Sequence, residues 1–258
     1  MKPGETEEIK LPPRSISGVA CRFPDAPLEI DLFFGAHGSG CELPVGFSDS
    51  LQSANLFLFE TVGWKKEEAE NRQKASYGDR NALRKIEVDA SKDLQQGEFL
   101  IDIYRSLFDS GAKIHHPDVP DGHRLDIQYY QSASESAYVA ETLKALPFGL
   151  LPDPQGQQAV CGVFKHFFNI LKERDKHIIR NFFPPDIQDK NTIKVVGFFG
   201  LLHLAVGDVV RYKANETGRK DIQVKSTPDE LPESLKAYEK YLKDGSVSFG
   251  DILKLIRF

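Results

Sequence analysis

Cysteine is scarce in this chain. Its 258 residues include three, Cys21, Cys41 and Cys161, widely spaced and never in a Cys-x-x-Cys pair. Neither a zinc knuckle nor a disulfide framework is expected, and a reducing compartment suits them. An excess of basic charge is also missing. The net charge of −5 and a pI of about 5.8 exclude sequence-independent binding of nucleic acid through a cationic face. Long apolar runs are missing too. The longest, Val195 to Val206, is too short to cross a bilayer and carries His203. The start, Met1-Lys2-Pro3-Gly4-Glu5-Thr6-Glu7-Glu8, lacks the apolar core of a signal peptide. These absences give the expectation of a cytoplasmic protein with no nucleic-acid partner and no transmembrane segment. No repeat of solenoid period occurs. One Trp and one Met stand against eighteen Phe, which implies a Phe-rich core.

The rest of the composition is that of a globular protein, 40% hydrophobic and 28% charged, long enough to bury a sizeable core. Residues 1–14 read as a loose polar leader. Leu28 to Phe34 reads as a strand running into Gly35, Gly38 and Gly40, and Phe47 to Ala54 as a short helix. Asn55-Leu56-Phe57-Leu58-Phe59-Glu60 is a second strand, apolar up to its last residues, as in a strand covered on both faces of a parallel sheet. Strand, helix, strand within this span is a βαβ unit. A charged helical insertion covers 65–110, with Gly78 and Gly97 as breaks. Ala112 to His116 makes a third strand, and a helix follows to Leu146. Gln157 to Phe183 is a long helix stopped by Pro184-Pro185. Ile193 to Phe199 is a further buried strand, and 214–258 is expected to be a polar C-terminal helical segment. The fold class this implies is a single α/β domain, its mainly parallel sheet flanked by helices.

Four residues carry the chemistry. His37 lies in Gly35-Ala36-His37-Gly38-Ser39-Gly40, just past a strand, where ligands bind in open α/β sheets. A turn histidine bonded within its own loop is the competing reading. Glu60 ends the apolar second strand at the same sheet edge, as a solvated strand-end residue or as a polar-pocket carboxylate. His203, in Phe199-Gly200-Leu201-Leu202-His203-Leu204, needs a partner in so apolar a context, whether in a site or in the core. Arg174 shares a helical face with Val160, Phe164, Phe167, Leu171 and Ile178. There it either pairs with an anion or snorkels. His115, His116 and Asp118 close the third strand as auxiliary candidates. His123, His166 and His177 read as exposed, and Cys41 lacks the partners of a cysteine hydrolase.

Phe34-Gly35-Ala36-His37, Phe59-Glu60, Glu173-Arg174-Asp175 and Val195-Val196-Gly197 through Gly200-Leu201-Leu202-His203-Leu204 resemble, in order and spacing over about residues 28–210, the TraB/Tiki/erythromycin-esterase/ChaN superfamily. That resemblance implies an EreA/ChaN-like core with His37, Glu60, Arg174 and His203 as active-site residues. Phe34 stands where the family has glycine.

Two functions follow as expectations. One is a hydrolase of peptide or ester bonds acting on a small-molecule or peptide substrate. It would work either through a divalent metal (Zn, Mn or Co) on His37, Glu60 and His203, or without metal, through Glu60 and a histidine with Arg174 at the oxyanion. The other is a binding protein for haem, a metal or a small ligand, in keeping with the altered first loop. A homo-oligomer is compatible with both, and so is a purely structural role for the polar residues.

Overall fold

The computed structural model describes residues 12–36, 41–60, 66–92, 97–120, 122–146, 152–187, 191–228, 232 and 235–256. Among these residues five strands, β1 (Leu28–Gly35), β2 (Leu56–Phe59), β3 (Lys113–His115), β4 (Ile193–Gly200) and β5 (Ile222–Thr227), form one sheet of order β3-β2-β4-β1-β5. Every pairing in it is parallel, so the α/β class expected from the sequence is observed.

A parallel sheet must be covered on both faces, and the strand alternation supplies two apolar layers. Leu28, Ile30, Leu32 and Phe34 of β1 join Leu56, Leu58, Ile193, Val195 and Phe199 in one core. Phe33, Phe57, Phe59, Val196 and Phe198 face the other. The first core is covered by α1 (Arg14–Ser17), α7 (Pro154–Arg180), α8 (Leu204–Glu216), α9 (Lys236–Asp244) and α10 (Phe249–Ile256), with α6 (Arg124–Ala145) packed on α7. The second is covered by α2 (Phe47–Gln52), α4 (Arg80–Ala90) and α5 (Gly97–Leu107), with α3 (Lys66–Ser76) beside them. The Phe-rich core is thus two layers of phenylalanine. In the second, Phe47 lies edge-on to Phe33 and Phe198 at 5.2 Å, the geometry that aromatic quadrupoles favour.

Local chemistry sets the helix ends. Asp79 accepts from Asn81 N and Ala82 N at the start of α4. Asp153 accepts from Gly156 N with Pro154 in the first turn, so α7 begins before Gln157 and ends at Arg180. The segment expected as a helical insertion forms α3, α4 and α5, the crossover between β2 and β3. Two expectations need correction. The C-terminal segment is not only helical, because Ile222–Thr227 pairs with β1 as an edge strand. Its inward positions are half-buried or, at Ser226, buried, and alternate with exposed ones, so one side is polar and the strand lacks the apolar run of its neighbours. The leader is also shorter than 1–14. Pro12 and Pro13 are buried, Arg14 opens α1, and residues 1–11 lie outside the described residues. None of the described helices is long and apolar enough to cross a membrane.

The topology marks a candidate functional edge. β1 and β4 are neighbours whose last residues, Gly35 and Gly200, are register partners. From β1 the chain runs through α2, on the second core, to β2. From β4 it runs through α8, on the first core, to β5. Adjacent strands whose connections leave in opposite directions form a topological switch point, the crevice where open α/β sheets take ligands.

Gly197 shows how tightly β4 is packed. A Cβ there would meet Leu32 Cδ2 and Phe199 Cε2, each at 2.8 Å. Gly197→Ala is expected to lose about 1–3 kcal/mol in urea unfolding. Gly18→Ala, with nothing within 4 Å of the added atom, should stay within about 0.5 kcal/mol of the parent.

Candidate functional site

Glu60 leaves the end of β2 with its backbone N–H still donating to Phe198 O on β4 (3.3 Å). Its side chain is 10% exposed and lies beside the switch point. Oε2 accepts from Gly200 N at 2.7 Å. A Cβ at Gly200 would sit 3.1 Å from that oxygen, so glycine lets the carboxylate come this close to the strand end. Oε1 lies 3.2 Å from His203 Nε2 and 3.6 Å from Arg174 Nη2.

His203 closes the 3-10 turn Leu201–His203 between β4 and α8 and is 1% exposed. Nδ1 meets Asp175 Oδ1 at 2.6 Å, and Asp175 Oδ2 accepts from Tyr238 OH of α9 at 2.6 Å. The Nε2 contact with Glu60 is ionic in range but too poorly aligned to count as a hydrogen bond. Burial opposes a charge on His203. The facing carboxylates of Glu60 and Asp175 overcome it and push the imidazole up to about 10, so His203 is an imidazolium at neutral pH. Complete burial raises the Asp175 carboxyl, against the lowering influence of His203 and Tyr238.

Arg174, adjacent to Asp175 on α7, turns to the other side. Its Nε donates to Asp118 Oδ1 at 3.3 Å and its Nη2 to Asp118 Oδ2. Its guanidinium carbon lies 4.1 Å from the centre of the Tyr129 ring of α6, a cation–π contact. Burial disfavours the Arg174 charge, but Asp118 and Glu60 outweigh it and the net direction is upward. Asp118, in the loop after β3, also accepts from Val119 N at 2.7 Å. Beside it, His116 Nδ1 contacts Phe59 O at 3.0 Å. Burial, against that bond, lowers His116 to about 4, so the ring is neutral and donates to the carbonyl.

Three of the four residues singled out in the sequence, Glu60, Arg174 and His203, therefore meet in one buried cluster. His37 lies outside the described residues. The auxiliary candidate Asp118 proves to be the main partner of Arg174. Asp175, Tyr238 and Tyr129 were not singled out, although Asp175, four residues after Leu171 and seven after Phe168, shares the apolar stripe of α7. The remaining histidines lie apart: His115 bonds Asn181 O, exposed His123 accepts from Leu125 N at the start of α6, His166 is exposed and His177 half-buried. Glu60, Asp118 and His203 place one ligand atom each within 4.8 Å of one another. That is a carboxylate–carboxylate–imidazole set of the kind that holds Zn, Mn or Co. To take an ion it would have to draw an Asp118 oxygen from Arg174 and a proton from His203.

Two outcomes test this geometry. Arg174→Met strands Asp118 and Glu60 without their guanidinium and is expected to cost about 3–5 kcal/mol in chemical denaturation. His203, raised from its ordinary 6.5 to about 10, stabilises the fold fully below pH 6.5, and that contribution drains away as pH rises through about 10. Thermal unfolding temperature should therefore fall across this window more steeply for the parent than for His203→Gln.

Known protein families, curated proteins and solved structures offer no match to this chain.

Proposed function

We propose that the chain is a hydrolase of ester or peptide bonds, with Glu60, His203 and Arg174 as its working residues at the switch point. One observation supports this above the others. Gly200 N–H, Glu60, His203, Asp175 and Tyr238 form a contiguous buried set, hydrogen-bonded except for the 3.2 Å ion-pair contact between Glu60 and His203, and Arg174 stands 3.6 Å from the same Glu60 oxygen that faces His203. The order of the Gly/His, Phe-Glu and Glu-Arg-Asp segments, which resembles that of the EreA/ChaN-like superfamily, agrees with it.

In this reading Glu60, the most exposed of the three, takes a proton from water as the water oxygen attacks the carbonyl carbon. The carbonyl electrons move onto oxygen, where guanidinium N–H groups not used by Asp118 stabilise the charge. The bond to the leaving oxygen or nitrogen then breaks, and that atom receives the Nε2 proton of His203. The proton on Glu60 crosses the 3.2 Å contact to His203, and the resting state returns. Asp175 and Tyr238 hold the imidazole orientation from behind, the role of the third member in a triad.

A second reading has its own observation, the Glu60–Asp118–His203 donor set. In it these residues hold a divalent cation, with Asp118 in place of the His37 expected from sequence, and the ion would supply Lewis acidity. Haem, the other ligand expected from the sequence, would compete for the same His203 Nε2.

Turnover on a panel of p-nitrophenyl esters and peptides is expected to fall about 10²–10⁴-fold in Glu60→Gln and in His203→Asn. Equal turnover in parent and both variants would sink the hydrolase. Calorimetric titration with Zn²⁺ separates the second reading, since binding should be lost in Asp118→Asn. Under haem titration, a Soret band lost in His203→Ala would mark the haem ligand.

A further inference from the structure

α6 carries apolar side chains on opposite sides. Its inner side, which includes Asp126, Tyr129, Ser132, Ala133, Ser136 and Leu143, is buried or half-buried where the helix packs along α7. Its outer side reads Arg124, Ile127, Gln131, Ser134, Tyr138 and Glu141, at steps of three and four, and every one of these is exposed. Ile127 is 48% and Tyr138 75% exposed. The solvent side of a surface helix is mostly charged and polar. Here the alternating steps, those of a helix-pairing seam, bring two large apolar residues into line with opposite charges at the two ends.

We propose that this seam is a self-association surface, and that its occupant is a second copy of α6 packed antiparallel about a two-fold axis between residues 132 and 133. The order of residues is self-complementary about that point. Arg124 falls opposite the second copy's Glu141, Ile127 opposite Tyr138, and Gln131 opposite Ser134, and the two-fold repeats each layer. An isologous interface requires such reciprocity. The charges choose the orientation. A parallel pair would set Arg124 on Arg124 and Glu141 on Glu141, whereas the antiparallel pair places opposite charges at both ends. Arg124 makes no ion pair among the described residues, and Glu141 holds only the exposed Lys144, at 2.8 Å. An arriving guanidinium extends that contact into a network. At the centre the small Ser134 lets the helices approach. Its hydroxyl can pair with the Gln131 amide that faces it, and a polar layer of this kind fixes register.

A helix-on-helix contact is at the small end of specific interfaces, the class of weak and transient association. Sedimentation equilibrium of the full chain over about 1–200 μM is expected to show the mass rising from 29.0 kDa toward twice that value. Arg124→Glu alone and Glu141→Arg alone should each weaken association about tenfold or more, as two attractive pairs become repulsive. The combined Arg124→Glu/Glu141→Arg chain should regain the parent affinity, and Tyr138→Lys should be monomeric. All these positions are exposed, and unchanged circular dichroism and melting temperature verify the fold. A parent that is monomeric throughout overturns the proposal. So does an association that ignores the single reversals, or a double reversal that fails to restore it.

Discussion

A carboxylate that is buried and charged must be solvated by the protein itself, and at the carboxyl edge of this sheet that demand falls on Glu60. One oxygen takes the backbone N–H of Gly200, and the other faces His203 and Arg174. Each requirement passes into the fold. The Gly200 contact needs β2 and β4 side by side in the observed register, with Phe59 level with Phe198. A side chain at the strand end would crowd it, since a Cβ at Gly200 would sit 3.1 Å from the carboxylate. The His203 contact needs the chain to turn at once after β4, as the 3-10 turn at Leu201–His203 does. The Arg174 contact needs α7 pressed against the strand ends, which the buried Phe164, Phe168, Leu171 and Ile178 achieve.

Adjacent residues of α7 divide the work. Arg174 and Asp175 are about 100° apart around the helix, so one reaches Asp118 beyond β3 and the other reaches His203 beyond β4. Tyr238 brings α9 into the same network, and Tyr129 brings in α6. With His203 protonated, two cations stand among three carboxylates. This surplus of acidic side chains supports both readings of the site, because it offers proton acceptors and also oxygen donors for a metal ion.

β1, β2 and β4 were legible in the sequence because strands buried on both faces read as apolar runs. β5 was not, since Gln223, Lys225 and Thr227 are exposed at the sheet edge. Arg174 was legible as a charge in an apolar stripe. Asp175 was visible only as part of Glu173-Arg174-Asp175 and was given no role of its own, although it sits in the same stripe. Tyr238 carried no signal, because its value lies in a hydroxyl aimed at a carboxylate sixty-three residues earlier, and only the tertiary fold makes that neighbour. Asp118 was visible as a strand-end acid, but its partner was not. A pairing between a loop and a distant helix has no local pattern in the chain.

The relay also answers a chemical objection to His203 as an acid. A group held near 10 gives up its proton poorly at neutral pH, and efficient transfer wants a value near the working pH. Once burial is overcome, however, the first influence that raises His203 is the Glu60 charge, with the Asp175 contact after it. In the proposed hydrolase, proton transfer from the attacking water to Glu60 would remove that charge, and His203 would lose its principal stabiliser. The imidazolium would then become a stronger acid at the step in which the leaving group of the proposed reaction needs a proton. Asp175, fully buried and bonded to Tyr238, keeps the ring in place while this happens. On the proposed mechanism, the pairing that stabilises the resting site would thus withhold the proton until the base has been used.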